Sequence, residues 1–193
     1  MVTLSIVVIL GMLAAPSLRS IFIKNGINNV GSQCTGNLMR ARSEAVNRNV
    51  CSVMCLTSTT NTAVTSNGNG TAASGPSCAG TGTDCQAGWI VFFLESCPGG
   101  NVTKMAAGSR PARPEDYIAI QTPLSADYKL VAVGLSPATD FIFSAQGLPA
   151  SQVTSEFDLL FQRADSSTTQ QYGYNVCVDG MGRTRTVSRN IRC

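Results

Sequence analysis

Eight cysteines and no histidine set the chemistry open to this 193-residue chain. Without histidine there is no imidazole to shuttle protons near neutral pH and no imidazole metal ligand. A hydrolase would need a serine or cysteine nucleophile with some other base. No GxSxG pattern occurs, and an extended backbone would aim the adjacent acids Glu115 and Asp116 to opposite faces. The sequence therefore argues against an enzyme. It offers no motif for a cofactor or a small-molecule substrate.

The thiols are Cys34, Cys51, Cys55, Cys78, Cys85, Cys97, Cys177 and Cys193. An even count behind a long uncharged N-terminus reads as disulfides formed outside the cytoplasm. Zinc is the competing use, but no Cys-x-x-Cys pair exists and the tightest spacing is Cys51-x-x-x-Cys55. If residues 50–57 form a strand, Cys51 and Cys55 share one face about 13 Å apart and cannot pair with each other. The pairing is otherwise open, and all eight stand as disulfide candidates.

The remaining chemistry-bearing residues gather at the C-terminus. Arg183, Arg185, Arg189 and Arg192 are four of fourteen basic residues; the ten others face eleven acidic ones, so the net charge of +3 resides in this tail. On an extended strand Arg183, Arg185, Val187 and Arg189 share a face, and a row of guanidinium groups suits phosphate contacts. The plainer use is a solvated edge strand whose charges prevent edge-to-edge pairing. No aromatic residue interleaves these arginines, so stacking on bases is not expected.

Two kinds of element must position these groups. Met1–Ala15 (MVTLSIVVILGMLAA) carries no charge. As a helix it covers about 22 Å, against about 30 Å for a bilayer's hydrocarbon core. Beyond Pro16 the apolar residues Ile23, Ile27, Val30, Cys34, Leu38, Ala41 and Ala45 recur at helical spacing, forming one stripe to about Asn47. A cleaved leader has no reason to share one continuous helix with the mature fold. The expected organisation is a hydrophobic N-terminal helix over 1–22, serving as membrane anchor or filament core, and a globular head over 23–193. Gly11 and Pro16 are expected to bend the helix or leave a locally extended stretch, while Gly31 and Gly36 are expected to mark close packing on a sheet.

From Val50 on, short β-prone runs are separated by Gly, Pro, Asn and Ser. Strands are expected at 50–57, 89–94, 117–121, 130–133, 141–143, 157–162, 172–178 and 184–188, with Asp179-Gly180 turning the last two. The insert 57–88 is Ser/Thr/Asn/Gly-rich and reads as an exposed loop stapled by Cys78 and Cys85. The fold class is α+β: a long N-terminal helix packed on an antiparallel β-sheet head.

MVTLSIVVILGMLAAPSLR resembles the start of type IV pilins, with Pro16 where pilins carry a helix-bending proline. ARSEAVNRN (41–49), GWIVFF (88–93), FSAQGLPA (143–150) and VCVDGMGRTRTV (176–187) resemble, in order, the landmarks of FimT/FimU minor pilins and GspH pseudopilins. The resemblance covers most of the chain apart from the insert. It implies a pilin-like fold, other pilin subunits as partners, and inner-membrane anchoring with a periplasmic head before export into an extracellular pilus. A type II secretion pseudopilus is the rival destination. The prepilin cleavage site, the methylated first residue and its nearby acid are absent, which trimming or a late gene start explains. Gly182-Arg183-Thr184-Arg185 also resembles the GRxR motif of DNA-binding FimT pilins, which implies Gly182, Arg183, Arg185, Arg189 and Arg192 as a DNA-contacting tail for natural transformation.

Overall fold

In the computed structural model, residues 2–57, 59–70, 72–79, 88–97, 105–121, 123–124, 128–133, 140–150, 155–161, 173–188 and 191 are described; for 2–20, 72–73, 128–133 and 155–161 this is the backbone alone. Among the described residues, one α-helix, α1 (Val2–Arg48), leads into strands that form two four-stranded antiparallel sheets and a small hairpin. The helix is unbroken across Gly11 and Pro16, so no extended stretch divides it. It ends where Asn49 turns left-handed (φ 54). There the Asn49 N–H donates to Val46 O and the Val50 N–H to Ala45 O, a Schellman cap that occupies two otherwise orphan carbonyls.

The first sheet runs β5 (Tyr117–Ile120), β4 (Trp89–Leu94), β1 (Cys51–Leu56), β7 (Asp140–Phe143). Alternation splits its side chains between two cores. Met54, Leu56, Trp89, Val91, Phe141 and Phe143 face the helical stripe of Val30, Cys34, Leu38, Ala41 and Ala45. Val53, Cys55, Ile90, Phe92 and Ile142 face the insert side with Cys78. Because both faces are covered, CSVMCL and WIVFFL read as continuous apolar runs. Each large side chain so buried, such as Leu38, contributes roughly 1.5–3 kcal/mol. Buried Ser52 faces the helix and donates to Ala41 O at 2.8 Å, which satisfies its hydroxyl.

The second sheet runs β10 (Thr184–Ser188), β9 (Gly173–Val178), β8 (Ser155–Phe161), β6 (Tyr128–Val133), and β9 sends Val176 and Val178 into the helix-facing core. Tyr174 also reaches the helix, donating to Ile27 O at 3.1 Å. A Cβ on Gly31 would lie 1.1 Å from the Tyr174 hydroxyl, so the helix needs glycine there. Gly36 is different: it is exposed with nothing within 4 Å, so it does not mark close packing on the sheet.

The insert is more ordered than a plain loop. Strands β2 (Thr65–Ser66) and β3 (Ala72–Ser74) pair, and Thr57 bridges Cys78. Cys55–Cys78 and Cys51–Cys97 are disulfides, and Cys177 is also disulfide-bonded. Cys85 and Cys193 lie outside the described residues. Cys34 is not a disulfide half: it sits on the helical stripe, fully buried in the core, as a free thiol. Glu115 and Asp116 belong to a 3-10 turn (Pro114–Asp116) ahead of β5, not to a strand.

Candidate functional site

The arginine tail begins at a tight loop. Asp179 closes it, accepting the N–H groups of Met181 (2.9 Å) and Arg183 (2.8 Å) and the Arg183 Nε (2.8 Å). These bonds, the Arg183 main-chain one first, hold the Asp179 carboxyl below its ordinary pKa. Arg183 is thus an exposed cation with an acid attached. Arg185 is exposed on β10 opposite Cys177, and β10 is the outer strand of its sheet. Arg189 and Arg192 lie outside the described residues.

Gly182, read from the sequence as part of a DNA-contacting motif, is buried in the fold itself. Its φ is +74, and a Cβ would come within 2.7 Å of Gly147 O. Arg42 joins the two glycines: its Nε donates to Gly147 O at 2.9 Å and its Nη1 to Gly182 O at 3.1 Å. Charge-assisted bonds of this kind are the stronger class. Gly147 is likewise left-handed, with a Cβ position 2.8 Å from Val46.

Arg42 and Tyr174 were not singled out from the sequence. No local signal marks them, because their bonds reach partners more than 100 positions away in the chain. The other landmark residues are explained in the same way. Arg48 pairs with Glu44 at 3.3 Å and lies 4.5 Å from the Phe93 ring centroid, tying ARSEAVNRN to GWIVFF.

Around Arg42 exposed apolar side chains are mixed with the polar Ser43, Asn47 and Thr184. Met39, Val46, Leu148 and Met181 are all exposed, and Met39, Val46, Arg183 and Thr184 help line an open groove of about 540 Å³ between α1 and β10. Further toward the N-terminus Ile21 is 50% and Phe22 72% exposed, on a stretch of helix that has left the head. Among the described residues, no helix is long and apolar enough to cross a membrane.

Chemistry at the buried sulfurs is closed off. Cys55, Cys78 and Asp140 offer ligand atoms within 4.8 Å of one another, but the two sulfurs are bonded together and present no thiolate to a metal. Asp140 accepts the Met105 N–H.

A protein-family profile described as type II transport protein GspH matches residues 32–182. Among solved structures, the type IV minor pilin FimU of Pseudomonas aeruginosa superposes with a TM-score of 0.51 at 14% identity, covering 84% of this chain and 89% of that chain. A second crystal form of the same FimU gives 0.49 at 12% identity, with 83% and 91% covered. At such identity the likeness concerns the fold, a long N-terminal helix packed on antiparallel strands. No curated protein matches the sequence significantly.

Proposed function

The chain belongs to the GspH family of pilin-like and pseudopilin subunits, and from that premise we propose that it is a structural subunit of a type IV pilus, assembled through α1. One observation carries the reading. The helix is 47 residues long, but among its side chains described from Ile21 onward the buried stripe starts at Ile27; Ile23 is half-buried, and Ile21 and Phe22 stand in solvent. A single copy leaves that stem uncovered, and like stems of neighbouring subunits supply the cover that apolar surface favours. Head-to-tail repetition of such a contact produces a helical filament. Before assembly the uncharged Met1–Ala15 run resides in the inner membrane with the head in the periplasm, where disulfides form.

The test is fractionation. Sheared, washed filaments from producing cells should contain the chain, and a monomeric chain confined to the soluble periplasm would overturn the reading. Loss of protein secretion on deletion, with surface filaments intact, would move the chain to the pseudopilus.

Exposure of Arg183 and Arg185 at the outer strand β10 favours a second reading, contact with duplex DNA. Asp179 works against it by holding Arg183. If duplex binds here, Arg183→Gln with Arg185→Gln abolishes gel retardation at low salt, and Asp179→Asn strengthens it. Retardation indifferent to all three substitutions removes this reading.

A further inference from the structure

We propose that Asn67 is a site of spontaneous deamidation, and that the fold selects it from three Asn-Gly pairs of equal sequence: Asn25-Gly26, Asn67-Gly68 and Asn69-Gly70. The reaction needs the main-chain nitrogen that follows the asparagine. After losing its proton, that nitrogen attacks the side-chain amide carbon, a five-membered imide forms, and ammonia leaves. Water then opens the imide at either carbonyl, giving aspartate or isoaspartate. One water is consumed and one ammonia released, so no oxidant or reductant is required. Glycine in the following position leaves the nitrogen unhindered, because it has no Cβ.

The fold decides which nitrogen is available. Gly26 lies within α1, where its N–H belongs to the helical ladder. Gly70 donates its N–H to Asn67 O at 2.9 Å, closing the turn between β2 and β3, and sits left-handed at φ +77. That is a turn followed by a left-handed glycine, a common way to close a hairpin. Gly68 occupies the turn's first inner position. Its N–H has no hydrogen-bond partner among the described residues, and a Cβ placed on it would meet nothing within 4 Å. Residues 67–70 are all exposed, so water reaches the imide freely.

The product alters the insert. Each event adds one negative charge to a chain whose net charge is +3. The isoaspartate form reroutes the backbone through the former side chain, inserting a methylene. The carbonyl oxygen that accepts the Gly70 N–H then belongs to a free carboxylate, so the bond no longer closes the turn within the main chain. The hairpin thereby records the age of the molecule.

The test is incubation of the folded, disulfide-intact chain at mildly alkaline pH, followed by fragmentation mass spectrometry and isoaspartyl methyl-acceptor labelling. The expected result is a gain of about one dalton at Asn67, with methyl-acceptor activity, while Asn25 and Asn69 stay intact. Denaturant should make all three pairs reactive, and Gly68→Ala should abolish the product at Asn67 in the folded chain. An unchanged Asn67, or loss of Asn25 or Asn69 as fast as Asn67 in the folded chain, overturns the proposal.

Discussion

The hydroxyl of Tyr174 donates to Ile27 O and occupies the space above Gly31 that a side chain would otherwise fill. Burial, and then the nearby Cys34 sulfur, push its pKa from an ordinary value of 10.0 up to about 12. Burial alone pushes the Cys34 thiol from 9.0 to about 12. Both folded values exceed the unfolded ones, so both groups stabilise the fold fully below their unfolded values, and that stabilisation is lost as pH rises through the folded ones. Chemical denaturation as a function of pH should therefore show a decline that begins near 9.0 through Cys34 and steepens above 10.0 through Tyr174. Tyr174→Phe should remove the steeper part and cost about 1 kcal/mol at neutral pH, the worth of one hydrogen bond. Cys34→Ala should remove the earlier part. A decline unchanged in both variants would place the alkaline sensitivity elsewhere.

Where the helix meets the sheets, much was legible because packing follows periodicity. Ile27, Val30, Cys34, Leu38, Ala41 and Ala45 are buried as their spacing predicts. Strands 89–94 and 184–188 fall where the β-prone runs place them. What escaped was long-range or polar. Pairing of β1 with β7 joins segments some way apart in the chain, and no local signal states it. Strands β2 and β3 are built of Thr, Ser and Ala, which carry little apolar alternation, so the insert read as a plain loop. At the candidate site the arginines were visible as charges, but the attachment of Arg183 to Asp179 and the burial of Gly182 depend on a loop's geometry. The two helical glycines turn this into a test. Gly36 stands in open space, so Gly36→Ala should stabilise by about 1 kcal/mol through helix propensity. Gly31→Ala drives a methyl into Tyr174 and should instead destabilise by roughly 1–3 kcal/mol. In a Tyr174→Ala background Gly31→Ala should become favourable, a reversal that denaturant midpoints would detect. Absence of the reversal would mean that the glycine serves something other than this contact.

Across the whole molecule the charge distribution and the uncovered stem point the same way. Only 13% of residues are charged, about half the usual share, so large parts of the surface lack the repulsion that keeps proteins apart. The head has a covered core of its own on both faces of its first sheet. The stem at Ile21 and Phe22 contributes nothing to that core, and folding and assembly should therefore separate by mutation. Ile21→Asp with Phe22→Asp should leave the head's thermal unfolding unchanged, because neither side chain packs against it. The same substitutions should remove the chain from sheared filaments, because a charge placed between packed apolar helices loses its hydration without gaining a partner. A lowered melting temperature would show that the stem packs on its own head, and normal incorporation would show that the filament contact lies elsewhere. With the head intact and the chain missing from the filament, this short exposed length of helix would be where one subunit becomes many.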